Sequence, residues 1–141
     1  MQNRIVFGSL EKVSIPALNV SDVIAKVDTG AFSGAIHCTN IYLDETGLHF
    51  TPLGEPELAT CVHEFEEVMV RSANGHSSVR YLIPITLVIK GKEYKTIVGL
   101  SDRALMRREM LLGRRFLLEN DVLVDVKLSK SSDDEAERFD V

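Results

Sequence analysis

The hydrophobic pattern of the chain predicts many short β-strands and very little helix. Apolar residues alternate with polar ones or form short blocks, and turns rich in Gly, Pro, Asn and Asp separate them. The predicted strands are residues 4–9, 12–15, 20–27, 35–38, 40–43, 48–50, 68–72, 79–89, 93–98, 110–112 and 122–126. The pattern therefore indicates a mostly-β fold.

Turn residues predict how these strands connect. Asn74-Gly75 lies between two alternating apolar stretches, and both residues accept the positive φ of a tight hairpin turn. Gly91 marks a second hairpin. Residues 44–47 are expected to form a turn, and residues 52–58, with two prolines and two glutamates, a loop.

Helix is expected only near the end of the chain. Residues 101–108 are expected to form a helical turn with Ser101 as its N-cap, and residues 114–119 a short helix. No repeat or linker divides residues 1–128, so we expect a single domain there. Residues 129–141 are polar and acidic and are expected to form a mobile tail.

Composition narrows the class of partner and the compartment. The chain has 141 residues, 45% of them hydrophobic, which can build an ordinary core. A net charge of −5 argues against nucleic acid or an anionic membrane as partner. No apolar run is long enough to cross a bilayer, and the first 20 residues lack a signal-peptide pattern, so a cytoplasmic location is expected. Cys38 and Cys61 are expected to be reduced, buried thiols.

The segment Asp28-Thr29-Gly30-Ala31 directly follows the predicted strand at residues 20–27. Aspartic proteases present their catalytic acid in this way, as a carboxylate at a strand end followed by a hydroxyl and a glycine. The segment occurs once, whereas acid–base hydrolysis of a peptide bond by carboxylates needs two that share a proton. We therefore expect a homodimer that brings two copies of Asp28 together.

A second segment pairs with the first. The segment Leu112-Gly113-Arg114 stands at the end of an apolar run. In aspartic proteases an apolar pair followed by glycine lies beside the catalytic loop. The Asn74-Gly75 hairpin falls where a substrate-covering flap is expected. Together these features resemble the retropepsin-like fold, which implies a closed β-barrel with one short C-terminal helix.

A closer resemblance is to the family named ATP-dependent zinc proteases, the bacterial RimB-like group associated with ATP-grasp glutamate ligases. It covers roughly residues 8–127. The matching segments are residues 25–31, 35–37, 70–75, 80–81, 102–103 with Met106, 110–114 and 124–125. The resemblance implies a peptidase that removes glutamates which such a ligase adds to a ribosomal protein.

The resemblance also implies roles for individual residues. Asp28, Thr29 and Gly30 form the catalytic group: Asp28 shares a proton with its copy, Thr29 holds the two loops together, and Gly30 admits the substrate backbone. Leu112, Gly113 and Arg114 support this loop. The candidate substrate-binding residues, which include two arginines for acidic groups, are Ala31, Arg71, Asn74, Gly75 and Arg80.

Two departures from the family concern specificity. Phe32-Ser33-Gly34 stands where the family usually has Arg-Thr-Ser, and residues 64–67 are acidic where the family tends to carry an arginine. In retroviral members the position of Phe32 holds an acid that pairs with the arginine after the apolar-Gly segment. The partner of Arg114 is therefore an open question.

Other functions compete with peptidase activity. A catalytically inactive dimer that binds a peptide or protein in the same cleft is the main alternative, and a zinc hydrolase is a weaker one. His37, His49, His63 and His76 are dispersed, and no Gly-rich phosphate loop is present, so we expect no metal and no nucleotide cofactor. Arg103, Arg107 and Arg108 are interpreted as a solvated basic surface rather than a ligand site.

Overall fold

A computed structural model describes residues 4–128 and confirms a mostly-β fold with one short helix. The strands, in chain order, are β1 (Ile5–Phe7), β2 (Leu10–Ile15), β3 (Val20–Val27), β4 (Gly34–Asp44), β5 (Gly47–Pro52), β6 (Thr60–Val62), β7 (Glu66–Arg71), β8 (Ser77–Ile89), β9 (Lys92–Ser101), β10 (Met110–Leu112) and β11 (Val122–Val124). The helix α1 is Arg114–Glu119, and short 3₁₀ turns occupy Pro16–Leu18 and Pro56–Leu58.

Six strands close into a barrel in the order β10-β3-β2-β8-β9-β4, and β4 pairs back with β10. The parallel pairs are β10 with β3 and β4 with β9, and the remaining pairs of the ring are antiparallel. Closure removes the exposed sheet edges of the ring. Because β3 and β10 run in parallel, their C-terminal ends lie at the same end of the barrel.

Two extensions project from the ring. The first half of β8 continues beyond the barrel and pairs with β7 to form a hairpin, the β7–β8 hairpin. On the other side, the far half of β4 pairs with β5, and β5 with β6. The hairpin is mostly exposed, whereas the barrel half of β8 alternates buried Ile83, Ile85, Leu87 and Ile89 with more exposed residues.

The helix packs on the barrel through an aromatic cluster of Phe7, Tyr94 and Phe116. The ring centroids of Phe7 and Tyr94 are 5.7 Å apart, and those of Tyr94 and Phe116 are 5.6 Å apart. The parallel pair of β1 with β11 lies next to this cluster and joins the two ends of the described chain. Among residues 4–128, no helix is both long and apolar enough to span a membrane.

The predicted helical turn at residues 101–108 is wrong. Strand β9 continues through Ser101, because its last residues pair with β8 on one side and β4 on the other. Residues 102–109 then form an irregular loop, in which Ala104 N–H donates to Asp102 Oδ1 at 3.0 Å. Ser101 is therefore a strand residue and caps no helix.

Smaller differences concern strand boundaries. The predicted strands at 35–38 and 40–43 are one strand, β4, with Asn40 in the left-handed region at φ 51° and a shift of register beside it. Strand β6 was not predicted, and β11 ends at Val124 rather than Val126. The expected tail at residues 129–141 lies outside the described residues.

Phe116 is 2% exposed and fills the space between helix and barrel. We expect Phe116→Ala to lower the free energy of unfolding by about 3–5 kcal/mol, because it removes an aromatic ring from a packed core. Urea denaturation followed by circular dichroism measures this. Leu105→Ala, at a fully exposed leucine, is the control and is expected to change stability by less than about 0.5 kcal/mol. Equal losses for the two variants would contradict this account of the core.

Candidate functional site

The predicted catalytic residue Asp28 lies where β3 leaves the barrel. Val27 pairs with Leu112 in the parallel β3–β10 pair, and Asp28 N–H donates to the Leu112 carbonyl oxygen at 2.8 Å. Residues 28–33, the Asp28 loop, follow before β4 begins at Gly34. The pairing of β3 with β10 therefore brings the two segments singled out in the sequence into direct contact.

The Asp28 side chain is oriented by its own loop. Gly30 N–H donates to Asp28 Oδ1 at 2.9 Å, and Ala31 N–H donates to the Asp28 carbonyl oxygen at 3.3 Å. A Cβ built on Gly30 would lie 3.1 Å from Asp28 Oδ1, so glycine leaves the carboxylate room. The carboxylate is partly exposed. It is thus held in one orientation yet open to water and to a ligand.

Gly113 permits the close approach of two backbone segments. A Cβ built there would lie 2.5 Å from the Phe32 carbonyl oxygen and 2.8 Å from that of Ala31. At this crossing Arg114 N–H donates to the Ala31 carbonyl oxygen at 2.8 Å, and Arg115 N–H donates to that of Phe32 at 2.9 Å. The first N–H groups of α1 therefore hold the Asp28 loop, and any side chain at residue 113 would force it away.

The structure answers the question of the partner of Arg114. Its guanidinium donates to the Thr29 carbonyl oxygen at 3.1 Å and lies over the Phe32 ring, 5.9 Å from the centroid. A carbonyl oxygen and an aromatic face thus stand in for the acid that retroviral members have at this position. Phe32 itself remains 52% exposed.

Arg80, a predicted substrate-binding residue, extends over Gly99 of the neighbouring strand β9. A Cβ built on Gly99 would lie 3.1 Å from Arg80 Cδ and 3.3 Å from a Leu82 methyl carbon. Glycine at residue 99 therefore leaves the space in which the Arg80 stem lies. The pairing register places Arg71, opposite Ser77, on the other face of the β7–β8 hairpin from Arg80.

Arg103 was interpreted from the sequence as part of a solvated basic surface, but in the structure it is half-buried and close enough to Arg80 and Asp28 for both charges to act on its pKa. Burial lowers the pKa of Arg103, the positive charge of Arg80 lowers it further, and the negative charge of Asp28 raises it. Arg103 N–H donates to His37 Nδ1 at 2.8 Å. The matching Asp102-Arg103 segment was the signal in the sequence that could have identified this residue.

His37 holds the 102–109 loop to the barrel. It is 6% exposed, and its backbone N–H donates to the Glu109 carbonyl oxygen at 2.7 Å. Because Nδ1 accepts the Arg103 N–H, that nitrogen carries no proton, and the 3.6 Å contact with the Asp102 carboxylate is not a charged pair. His37 is therefore a neutral residue that fixes the start of the loop.

The Asn74-Gly75 turn forms at the predicted place, the tip of the β7–β8 hairpin, but residues 72–76 make it longer than a two-residue turn and Asn74 does not have positive φ. Ser72 N–H donates to the His76 carbonyl oxygen at 2.8 Å, and Gly75 N–H donates to that of Ser72 at 3.0 Å. Gly75 has φ 86°, a conformation that glycine adopts without strain. The hairpin carries Arg80 on its β8 strand, which links the turn to the region of Asp28.

His49, Asp44 and Cys61 form a separate group of polar side chains. His49 Nε2 lies 3.0 Å from Asp44 Oδ1 and 3.8 Å from Cys61 Sγ, at the far end of β4 and β5. Hydrogen bonds from Thr46 lower the pKa of Asp44 to about 2. Within residues 4–128, no group of three or more His, Cys, Asp or Glu side chains is arranged to hold a metal ion.

Both cysteines are free thiols, as expected. Cys38 is buried, and burial raises its pKa to about 12, whereas Cys61 is only partly buried. The expectation of burial therefore holds in full only for Cys38.

A comparison with protein families confirms the resemblance seen in the sequence. The model of the RimB-like family, described as retropepsin-like aspartic endopeptidase RimB, matches residues 6–135.

Curated relatives include two proteins named probable alpha-L-glutamate ligase. The protein from Shewanella pealeana is 30% identical over 138 residues and is matched over 87% of this chain and 29% of its own length. The protein from Parasynechococcus marenigrum is 31% identical over 134 residues, which cover 89% of this chain and 28% of its own. The chain thus spans less than a third of the length of these relatives.

Solved structures include a Legionella pneumophila protein of unknown function. It matches with a TM-score of 0.58 and 21% identity, over 89% of this chain and 96% of its own. This likeness is one of fold.

Gly113→Ala tests the close approach of the two segments. We expect it to destabilise the protein by several kcal/mol, because the new Cβ would overlap two backbone carbonyl oxygens that cannot move independently. Thermal and urea unfolding measure the loss. Gly91→Ala is the control, since nothing lies within 4 Å of its Cβ position and it adds only the strain of φ +76°, about 1 kcal/mol. A Gly113→Ala loss no larger than that of Gly91→Ala would refute the proposed contact.

Arg114 and Phe32 are expected to be energetically coupled. In a double-mutant cycle with Arg114→Gln and Phe32→Leu, we expect a coupling of about 0.5–1 kcal/mol, the usual range for an exposed cation–π pair. Urea denaturation of the four proteins supplies the cycle. Strictly additive losses would show that Arg114 acts only through the Thr29 carbonyl oxygen.

Proposed function

Because the chain belongs to the RimB-like family of retropepsin-like aspartic endopeptidases, we propose that it is an aspartic peptidase that works as a homodimer. Each subunit contributes one Asp28, and the two carboxylates together hydrolyse a peptide bond. The substrate is an acidic or glutamylated protein, and the reaction takes place in the cytoplasm. A carboxylate pair activates water by itself, so the proposal requires no metal and no cofactor.

The observation that carries the proposal is the way Asp28 is held. Its backbone is bonded to Leu112, and its carboxylate accepts the Gly30 N–H. The carboxylate is fixed but partly exposed, as a group that must meet a second carboxylate and a water molecule has to be. The Gly113 crossing supports the Asp28 loop. It forms in this chain even though Phe32 replaces the acid that retroviral members have at this position.

The chemistry follows from the proximity of two like charges. Two carboxylates a few ångströms apart cannot both ionise easily, so they share one proton and titrate as a pair. The charged member removes a proton from water, which attacks the carbonyl carbon, while the protonated member donates to the carbonyl oxygen. The tetrahedral intermediate then breaks its C–N bond as a proton passes to the leaving amine.

A surface beside the Asp28 loop supports a second copy as partner. A groove of about 350 Å³ adjoins Thr29 and Arg114 and is lined mainly by apolar residues of α1 and β11. Leu118 and Leu123 are exposed there. Apolar side chains next to a half-formed catalytic pair favour a subunit interface over free solvent.

The relatives support the class of substrate. They are named probable alpha-L-glutamate ligase, and this chain matches less than a third of each. A peptidase related to part of such proteins is suited to hydrolyse the glutamyl bonds that a ligase forms. Arg80 and Arg103, the arginines near Asp28, can donate hydrogen bonds to the carboxylates of glutamate side chains.

A catalytically inactive dimer that binds peptides in the same cleft remains the second candidate. Phe32 favours it, because the chain lacks the acid that retroviral members have at this position. The two candidates differ in what Asp28 is needed for. A peptidase requires the ionisable carboxylate for turnover, whereas a binding module does not.

Asp28→Asn is expected to abolish hydrolysis of glutamate-tailed peptides, by at least about a hundredfold in kcat, while the fold persists. The amide is nearly the same size, but it neither ionises nor shares a proton. Peptide hydrolysis followed by mass spectrometry measures the rate, and circular dichroism checks the fold. Asp22→Asn is the matched control, because Asp22 is exposed at the other end of β3 and asparagine accepts its φ of 53°. Unchanged turnover in Asp28→Asn would rule out the carboxylate mechanism.

Mixing the wild-type and Asp28→Asn proteins tests whether each subunit supplies one Asp28. With Asp28→Asn in excess and subunits free to exchange, active protein is diluted into mixed dimers, so activity per wild-type chain should fall. Sedimentation measures the dimer in parallel. Activity proportional to wild-type chain at every ratio, or a monomer with full activity, would contradict the homodimeric site.

A further inference from the structure

Arg80 and Arg103 are brought together by the register of two strands. In the antiparallel β8–β9 pair, Tyr81 lies opposite Leu100. The next residues outward are Arg80 and Ser101, so Arg80 lies beside the point where β9 passes into the 102–109 loop. Arg103 is two residues further along that loop.

Each of the two side chains is held in place from below. The stem of Arg80 lies on Gly99, where a Cβ would approach within 3.1 Å of Arg80 Cδ. The backbone of Arg103 donates to the buried His37 at 2.8 Å, and its Nε donates to the Arg108 carbonyl oxygen at 3.2 Å. The stem of Arg80 and the guanidinium of Arg103 are therefore positioned before any ligand arrives, which reduces the entropy lost on binding.

The pair has positive charge without an opposite charge in contact. Among residues 4–128, neither Arg80 nor Arg103 forms an ion pair, and Asp28 acts on Arg103 only as a nearby charge. Both side chains are partly buried. Two like charges withdrawn from water repel each other more strongly than at an open surface, and an anion that contacts both relieves this repulsion.

A carboxylate is the anion that suits this arrangement beside a peptidase centre. It is planar and offers two oxygens, which match the paired donors of guanidinium groups. We infer that Arg80 and Arg103 jointly bind a side-chain carboxylate of the substrate next to Asp28 and so select glutamate over glutamine at one subsite. This inference rests on the proposed peptidase function, of which it names the specificity-determining residues.

Binding by a protein that cannot turn over tests the inference apart from catalysis. In the Asp28→Asn background, fluorescence anisotropy measures the affinity for labelled tetraglutamate and tetraglutamine peptides with blocked ends. We expect tighter binding of tetraglutamate. Arg80→Gln and Arg103→Gln should each weaken tetraglutamate binding by about ten- to a hundredfold, the usual effect of removing a hydrogen bond to a charged group, with little effect on tetraglutamine.

The variants are chosen to keep the fold. Arg103→Gln retains the backbone N–H that His37 accepts, so the 102–109 loop keeps its attachment. Lys12→Gln is the control, because it removes the same unit of charge from an exposed position on β2. It should change tetraglutamate affinity by less than about twofold at physiological salt.

The outcomes separate the inference from the proposed function. The inference is wrong if Arg80→Gln and Arg103→Gln bind tetraglutamate as tightly as the parent Asp28→Asn protein, or lose no more affinity than Lys12→Gln. This holds even if the wild-type protein cleaves peptides. Equal affinity of the parent for both peptides, or no binding of either, also overturns it. If the arginine variants lose affinity for tetraglutamate but not for tetraglutamine, and the wild-type protein hydrolyses neither peptide, the carboxylate-binding role of Arg80 and Arg103 is supported and the peptidase proposal fails.

Discussion

The close approach of Gly113 to the Asp28 loop is the constraint on which the candidate site depends. The parallel pair of β3 and β10 delivers Asp28 and Gly113 to the same end of the barrel, and no side chain fits at residue 113. Because the two backbones touch, the first N–H groups of α1 bond to Ala31 and Phe32. The position of the loop and the start of the helix thus depend on the same contact. Backbone hydrogen bonds thus fix the loop on both sides, and the Arg114 guanidinium adds one to the Thr29 carbonyl oxygen.

Much of this arrangement could be predicted from the sequence, because its signals are local. Alternating apolar residues predicted most barrel strands, and Asn74-Gly75 predicted the hairpin turn, since both depend on neighbouring residues alone. The segments around Asp28 and Gly113 were also predicted to meet. That prediction came from resemblance, because nothing in local sequence shows that β3 and β10 run side by side.

The features that were missed depend on contacts between distant residues. The propensity of residues 101–108 suggested a helical turn, but pairing of β9 with both β8 and β4 extends the strand through Ser101. Strand β6 is three residues long and exists through its pairing with β5. Arg103 looked like a surface residue because its anchor, His37, is 66 residues away in the chain. A single sequence carries little information on such pairs.

The distribution of charge around Asp28 connects the fold to the proposed substrate. Arg114 is bonded to the Thr29 carbonyl oxygen and lies over the Phe32 ring, and the Asp28 loop has no carboxylate other than Asp28. Arg80 and Arg103 add positive charge in this region, and the charges of Arg80 and Asp28 both act on Arg103. In the proposed dimer the two copies of Asp28 would share a proton and so carry one negative charge between them. Phe32 in place of an acid would thereby lower the electrostatic repulsion of the acidic substrate that we propose.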